Sequence, residues 1–259
     1  MIPDWATIPD WAAILALAAS GAVAGALNVI AGGGSFLTLP VMIFLGLPAT
    51  VANGTNRVGI LAQSVAAVWG FQRHRLIGRG WLVVAAVPAL AGAALGTWAA
   101  IEIDDRAFRR LLALIMVLVS LWTVWDPVAR RGEKRGPVEP GLQRRAGTVL
   151  LFFAIGVYGG FVQAGVGFLL LAATTLVGLD LVRGNALKVL IVLIFTPLAL
   201  ILFALGGKVD WGFGAPLAAG YVAGGLVGVR LTVLKGHAWV KRVVTVTVIL
   251  FAILLWFAP

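Results

Sequence analysis

Long apolar runs restrict this chain more than any other feature. Ten of them follow one another, at about 10–30, 35–47, 50–72, 80–101, 107–125, 147–164, 167–179, 182–205, 211–230 and 239–257. Several exceed the roughly 18 residues needed to cross ~30 Å of hydrocarbon. Composition agrees: 61% of residues are hydrophobic and 12% charged, with a mean hydropathy of +1.03. A soluble domain is closer to half apolar and a quarter charged. The expected fold class is an all-α integral membrane protein.

The second and seventh runs are different. Each holds only about 13 residues, a rise of about 20 Å, too short to span alone. Each follows a glycine-rich interruption, Gly32-Gly33-Gly34-Ser35 in one case and Gln163-Ala164-Gly165-Val166-Gly167 in the other. Glycine weakens a helix by about 1 kcal/mol relative to alanine. The interruptions therefore predict broken helices at membrane depth, where free backbone groups must be buried in protein or face a wet cavity. The start of the short helix after each break carries partial positive charge, which suits an anion. About eight full spans and two half-helices are expected.

Positive charge sets the orientation. Arg73-His74-Arg75-Leu76-Ile77-Gly78-Arg79, the connection 126–146 and the stretch 230–242 (Arg230, Lys235, Lys241, Arg242) are all basic and are expected on the cytoplasmic side. Asp4, Asp10 and the 206–210 loop lie outside on this reading, as does the mixed stretch 102–110. Counting each short segment as a crossing gives ten crossings, with both termini outside. The start of the chain lacks a basic leader pattern, so the first apolar run is expected to be retained. The linker divides the chain into an N-terminal repeat (1–126), a cytoplasmic connection (127–146) and a C-terminal repeat (147–259).

The two parts align without a gap. Gly33 falls on Gly165, Phe36 on Phe168, Gly46 on Gly178, Asn53 on Asn185, Gly92 and Gly96 on Gly224 and Gly228, and Arg109-Arg110 on Lys241-Arg242. With five segments in each, the second must be inverted. Inverted repeats with interrupted helices are a common plan of secondary transporters, whose sites lie near the midplane between repeats.

Only two cations, Arg57 and Lys188, lie well inside a predicted span, and no carboxylate does. A charge at the bilayer centre costs at least ~2.5–3.5 kcal/mol and usually faces a cavity. One alternative is that both side chains snorkel to the nearest interface. Without an intramembrane carboxylate, the missing counter-charge is assigned to a substrate. Asn53, Asn56 and Arg57 share one helical face, as do Asn185 and Lys188. In the gapless alignment Lys188 meets Asn56, one residue short of Arg57. The candidate substrate-binding set is Asn28, Gly32, Gly33, Gly34, Ser35, Asn53, Thr55, Asn56, Arg57, Gln163, Gly165, Gly167, Asn185 and Lys188. The asparagines serve equally well as interhelical glue, and Gly92/Gly96 and Gly224/Gly228 as close-packing glycines. Gln63, off the Arg57 face, reads as a packing or pathway residue.

Other chemistries find little support. There is no cysteine, no metal-ligand spacing and no Walker-type loop, so neither metal nor cofactor is expected. His74 and His237 lie in predicted cytoplasmic stretches, out of reach of Ser35, which argues against an intramembrane hydrolase and against an enzyme generally. The net charge of +10 sits mostly in loops and reports orientation, so a nucleic-acid partner is not expected. Trp5, Trp11, Trp81, Trp98, Trp125, Trp211 and Trp256 fall at predicted span ends, as an aromatic belt requires.

Gly32-Gly33-Gly34-Ser35-Phe36-Leu37-Thr38-Leu39-Pro40, followed by Gly46-Leu47-Pro48-Ala49-Thr50-Val51-Ala52-Asn53-Gly54-Thr55-Asn56, resembles the TauE/SafE sulfite-exporter family of membrane permeases. Gly165-Val166-Gly167-Phe168 and Gly184-Asn185-Ala186-Leu187-Lys188 resemble that family's second motif. The resemblance implies transport of a small sulfur-containing anion, sulfite or an organosulfonate. The expected function is thus an inner-membrane permease exporting such an anion by alternating access. An anion channel, or a carrier of another small anion, is the alternative. The expected partners are the anionic substrate and the lipid bilayer, with a homo-oligomer left open.

Overall fold

The computed structural model describes residues 10–73, 82–125 and 142–256. All the secondary structure among them is helical: α1 Asp10–Ile30, α2 Ser35–Phe44, α3 Ala49–Arg73, α4 Val87–Glu102, α5 Asp105–Trp125, α6 Leu142–Phe161, α7 Val166–Leu176, α8 Leu181–Leu205 and α9 Trp211–Trp256. A π-helical turn, Leu82–Ala86, leads into α4. Four stretches among the described residues are long and apolar enough to cross a bilayer on their own: Trp11–Ile30, Val83–Glu102, Leu181–Leu205 and Trp211–Lys235. The helix α3 has the length, at 25 residues, but Asn53, Thr55, Asn56, Arg57, Gln63 and Ser64 dilute its apolar character. Those side chains are all buried, so its polarity points inward.

The breaks form where the glycines stand. Gly32 has φ +100° and Gly165 φ +73°, conformations that favour glycine. Gly165 directly precedes α7, and neither α2 nor α7 has a side-chain cap at its start. First-turn N–H groups have no partner within their own helix; here backbone carbonyls of the breaks supply several, with Phe36 N and Leu37 N donating to Gly33 and Gly34, and Val166 N and Phe168 N to Gln163 and Gly165.

Helix directions follow from contacts in register. Ala18, Ala22 and Ala26 of α1 meet Gly220, Gly224 and Gly228 of α9 in the same order. Val58, Gln63 and Gly70 of α3 meet Gly214, Gly225 and Val229. Both α1 and α3 therefore run parallel to α9, and α2 must carry the chain back between them. Likewise Ala89 and Ala93 of α4 meet Gly156 and Gly160 of α6, while Gly206 at the end of α8 meets Ile101 at the end of α4. Helices α6 and α8 thus run parallel to α4, and α7 brings the chain back. The α4 direction opposes that of α3 and α9. Asp105 Oδ1, just past α4, accepts from Thr50 N and Oγ1 at 2.9 and 3.1 Å, and Thr55 Oγ1, near the start of α3, accepts from Asp210 N at 2.9 Å. What dips and returns is each long–short pair, α1–α2 or α6–α7, not the short helix alone.

One expected boundary is overturned. The sequence suggests a cytoplasmic loop at 230–242 between two spans, but α9 is one helix of 46 residues. At 1.5 Å per residue it is about 69 Å long, well beyond a bilayer core. Charge marks where a helix meets water, not where it ends; Leu, Ala, Lys and Arg all favour helix, and Gly236 alone does not break it. The return crossing that an external C-terminus requires has no turn here to start from. The mixed stretch 102–110 is also mostly helical, because α5 begins at Asp105 with its own carboxylate in the first turn. The expected loop at 74–79 and linker at 126–141 lie outside the described residues, as do Asp4, Trp5 and Trp81. Trp11, Trp98 and Trp211 sit near helix ends with exposed rings, as a belt in the interface requires.

Close glycine packing holds the long helices together. A Cβ on Gly224 would lie 1.8 Å from the Ala22 carbonyl oxygen, and one on Gly96 1.9 Å from that of Val157. Gly224→Ala should therefore lower the melting temperature in detergent by several degrees. The intrinsic helix preference, about 1 kcal/mol in favour of alanine, predicts the opposite sign. An unchanged or raised melting temperature would show that α1 and α9 part without cost.

Candidate functional site

The two breaks meet at the centre of the molecule. Gly32 and Gly167 approach so closely that a Cβ on either would lie 2.3 Å from the other's backbone. Beside them the Phe36 and Phe168 rings stack with centroids 6.2 Å apart. Around this contact lie three polar clusters.

The first surrounds Arg57, which is wholly buried. Its Nη1 donates to the Gly159 carbonyl at 3.2 Å and to Gln163 Oε1 at 2.6 Å, and its Nη2 donates to the Gly160 carbonyl at 2.6 Å. The guanidinium carbon lies 4.6 Å from the Phe203 ring centre, a cation–π contact. Asn53 Nδ2 donates to the Phe161 carbonyl at 2.9 Å. These carbonyls belong to the last turn of α6, which the break leaves without helical partners. The negative end of the α6 dipole faces the cation.

The second cluster repeats this arrangement on α1. Lys188 Nζ donates to the Asn28 and Val29 carbonyls at 3.0 and 2.9 Å and to Asn185 Oδ1 at 2.7 Å. Asn185 Nδ2 donates to the Ile30 carbonyl at 3.0 Å. The matching is residue by residue: Arg57 with Lys188, Gly159 with Asn28, Gly160 with Val29, Phe161 with Ile30. All four pairs share one sequence offset, whereas Asn53 and Asn185 are one residue further apart. The one-residue mismatch between Arg57 and Lys188 in the gapless alignment is thus only a shift of register, and both side chains do the same job.

The third cluster ties α2 to α3 and α9. Asn56 Nδ2 donates to Ser35 Oγ at 2.9 Å, while Thr38 Oγ1 and Tyr221 OH donate to Asn56 Oδ1 at 2.8 and 3.1 Å.

A small cavity lies against the Lys188 cluster. Asn28, Gln63, Ser64, Gln163 and Lys188 supply its polar wall, and Ile60, Val166, Gly167, Val189 and Val192 the rest. A water molecule's centre has about 10 Å³ in which to move, close to what one water needs. The cavity is narrow in this conformation, with room for about one water. Gln163 connects it to the Arg57 cluster, because its Oε1 accepts from Arg57 Nη1 at 2.6 Å, while its Nε2 donates to Thr196 Oγ1 at 3.3 Å.

The sequence-derived set is thus divided. Asn28, Gln163, Gly167 and Lys188 line the cavity. Gly32 touches Gly167. Arg57, Asn53 and Asn185 cap broken helices, and Ser35 and Asn56 hold the start of α2. The Gly33 carbonyl accepts from Phe36 N at 3.0 Å, and the Gly165 carbonyl from Phe168 N at 3.0 Å, each within its own break, and Gly34 packs on the Ala24 carbonyl. Thr55 stands apart, engaged with Asp210. Neither cation snorkels. The counter-charge left open by the sequence is met, in this structure, by helix carbonyls. Gln63 and Ser64 are cavity residues that the sequence reading set aside or passed over. A signal existed: Gln63 lies seven residues from Asn56, two helical turns along the same face.

Spanning apolar helices around a buried polar interior define a polytopic membrane protein. The sulfite exporter TauE/SafE family matches residues 17–255, and the chain belongs to that family of membrane transporters. A "Probable membrane transporter protein" of Haemophilus influenzae is 26% identical over 87% of this chain and 88% of its own length. The "Probable membrane transporter protein YfcA" of Escherichia coli K12 is 28% identical over 90% of this chain and 86% of its own. The "Probable membrane transporter protein ORF9" of a Sinorhizobium species is 27% identical over 92% and 90%. No solved structure matches the chain significantly.

Proposed function

We propose that this transporter moves a small sulfur-containing anion, of the sulfite or organosulfonate class, out across the cytoplasmic membrane by alternating access between two inverted halves. The observation that carries the reading is the cavity where the two broken helices meet. One wall holds a lysine, and no carboxylate lines the cavity, every described one sitting at a helix end or in the turn beside it. A positive charge without a nearby carboxylate favours an anionic guest over a cation. The start of α7, whose Val166 and Gly167 line the cavity, turns the positive end of a helix dipole toward it. The family description, sulfite exporter, supports the substrate class.

Inversion is supported by the matched caps on α1 and α6, two helices that run in opposite directions. In alternating access, rocking of one half against the other widens this narrow cavity toward one side or the other. Arg73 at the end of α3 and Arg230 and Lys235 in α9 lie toward the same end, since Gly70 meets Val229, and positive charge of this kind marks the cytoplasmic side. An inside-negative potential then favours exit of the anion by about 2.3 kcal/mol per charge per 100 mV, so export needs no carboxylate proton relay.

The test is flux from proteoliposomes loaded in turn with sulfite, sulfate, thiosulfate and methanesulfonate. Saturable efflux of at least one, accelerated by an inside-negative potential, is expected. If none moves faster than from empty liposomes, the anion reading is wrong. Stepwise single-channel currents would replace the carrier with a pore.

A further inference from the structure

We propose that Ser64 and Gln63 are the side chains that hydrogen-bond the transported anion, and that Lys188 positions the site and lends it charge without donating to the guest. This rests on reading the cavity as the anion's site. An ammonium group has three protons, and Lys188 Nζ makes three bonds, to Asn28 O, Val29 O and Asn185 Oδ1. It can grip an anion only by releasing the end of α1.

The cavity's free donors lie opposite, on α3. Ser64 is fully buried, lines the cavity and has no hydrogen-bond partner for its Oγ. A buried helical serine ordinarily returns its hydroxyl to the carbonyl four residues earlier, and this one does not. An unpartnered buried hydroxyl in a native interior calls for an explanation, and a polar guest in the adjoining cavity supplies one. Gln63 is also buried and accepts from Asn28 Nδ2 through Oε1 at 3.1 Å. That bond orients the amide and commits its acceptor, leaving the Nε2 group as donor. Two neutral donors from adjacent residues, near a charge that cannot itself be approached, make a site for a small oxyanion.

The experiment uses full-length protein in proteoliposomes and in detergent, with Ser64→Ala and Gln63→Glu beside the wild type. Efflux kinetics and melting temperatures are measured for sulfite and methanesulfonate. If Ser64 had only a structural part, removing an unpartnered hydroxyl would leave transport unchanged. As a ligand, it should raise KM by about tenfold, the loss of one hydrogen bond to a charged group, with the melting temperature of the anion-free protein equal or higher. Gln63→Glu keeps the acceptor for Asn28 but presents a carboxylate to the guest, so efflux should fall to background while the protein stays folded. Wild-type efflux with unchanged KM in Ser64→Ala, or full efflux in Gln63→Glu, overturns this assignment alone. A wild type that neither moves these anions nor is thermally stabilised by them overturns the anion reading beneath it.

Discussion

Arg57→Ala should be the most damaging single side-chain truncation in this protein, removing transport and costing about 3–5 kcal/mol of stability. The guanidinium satisfies three acceptors in a site sealed from water: Gly159 O, Gly160 O and Gln163 Oε1. Within the hydrocarbon zone an orphaned backbone group costs up to several kcal/mol. Thr97 Oγ1 also donates to the Gly160 carbonyl and Asn53 Nδ2 to that of Phe161, so the loss of Arg57 falls mainly on Gly159 O and Gln163 Oε1. Arg57→Lys is expected to recover part of the loss, because Lys188 performs the equivalent task on α1 with an ammonium. It should not recover all of it, since one ammonium lacks the fork that reaches both carbonyls and Gln163 at once. Thermal melts in detergent read the stability, and efflux reads the function. If Arg57→Ala melts like the wild type but loses transport, the residue belongs to the substrate rather than to the cap.

Gly32→Ala should prevent accumulation of folded protein. Two costs combine at this position. The residue has φ +100°, a conformation that side chains rarely adopt, and its new Cβ would lie 2.3 Å from the Gly167 carbonyl carbon. The obstruction is backbone, so no rotamer change relieves it. Gly167→Ala isolates the second cost: its Cβ would lie 2.3 Å from Gly32 Cα, but its own φ lies outside the left-handed region. It should therefore be destabilised less than Gly32→Ala, though still severely. Size-exclusion profiles and melting curves of the two variants give the comparison. Two variants as stable as wild type would mean that the breaks do not touch in the membrane.

These expectations show what could and could not be read in advance. The breaks were legible because glycine clusters inside apolar runs have few other uses. The starts of α2 and α7 lie within two residues of their expected places for the same reason, and so do those of α3, just after Pro48, and α8, capped by Asp180. Arg57 and Lys188 stood out because nothing else charged lies so deep. Their partners did not, because a backbone carbonyl has no letter of its own in a sequence. The loop at 230–242 misled because lysine and arginine are compatible with both a water-exposed turn and a water-exposed helix. Gln63 was legible in type but not in role, since α3 buries polar groups on more than one face.

Taken alone, the order of residues determined that the chain must live in a membrane, where its helices break, and which two cations lie deep. Those outcomes depend on hydrocarbon length, backbone freedom and local charge, all local properties. Tertiary structure decided that each deep cation closes the broken helix of the opposite half, that the short helices turn back, and that α3 presents a serine with an unused hydroxyl to the central cavity. Each of these joins groups more than a hundred residues apart or depends on what fails to arrive, and only the folded packing of helices determines which groups meet.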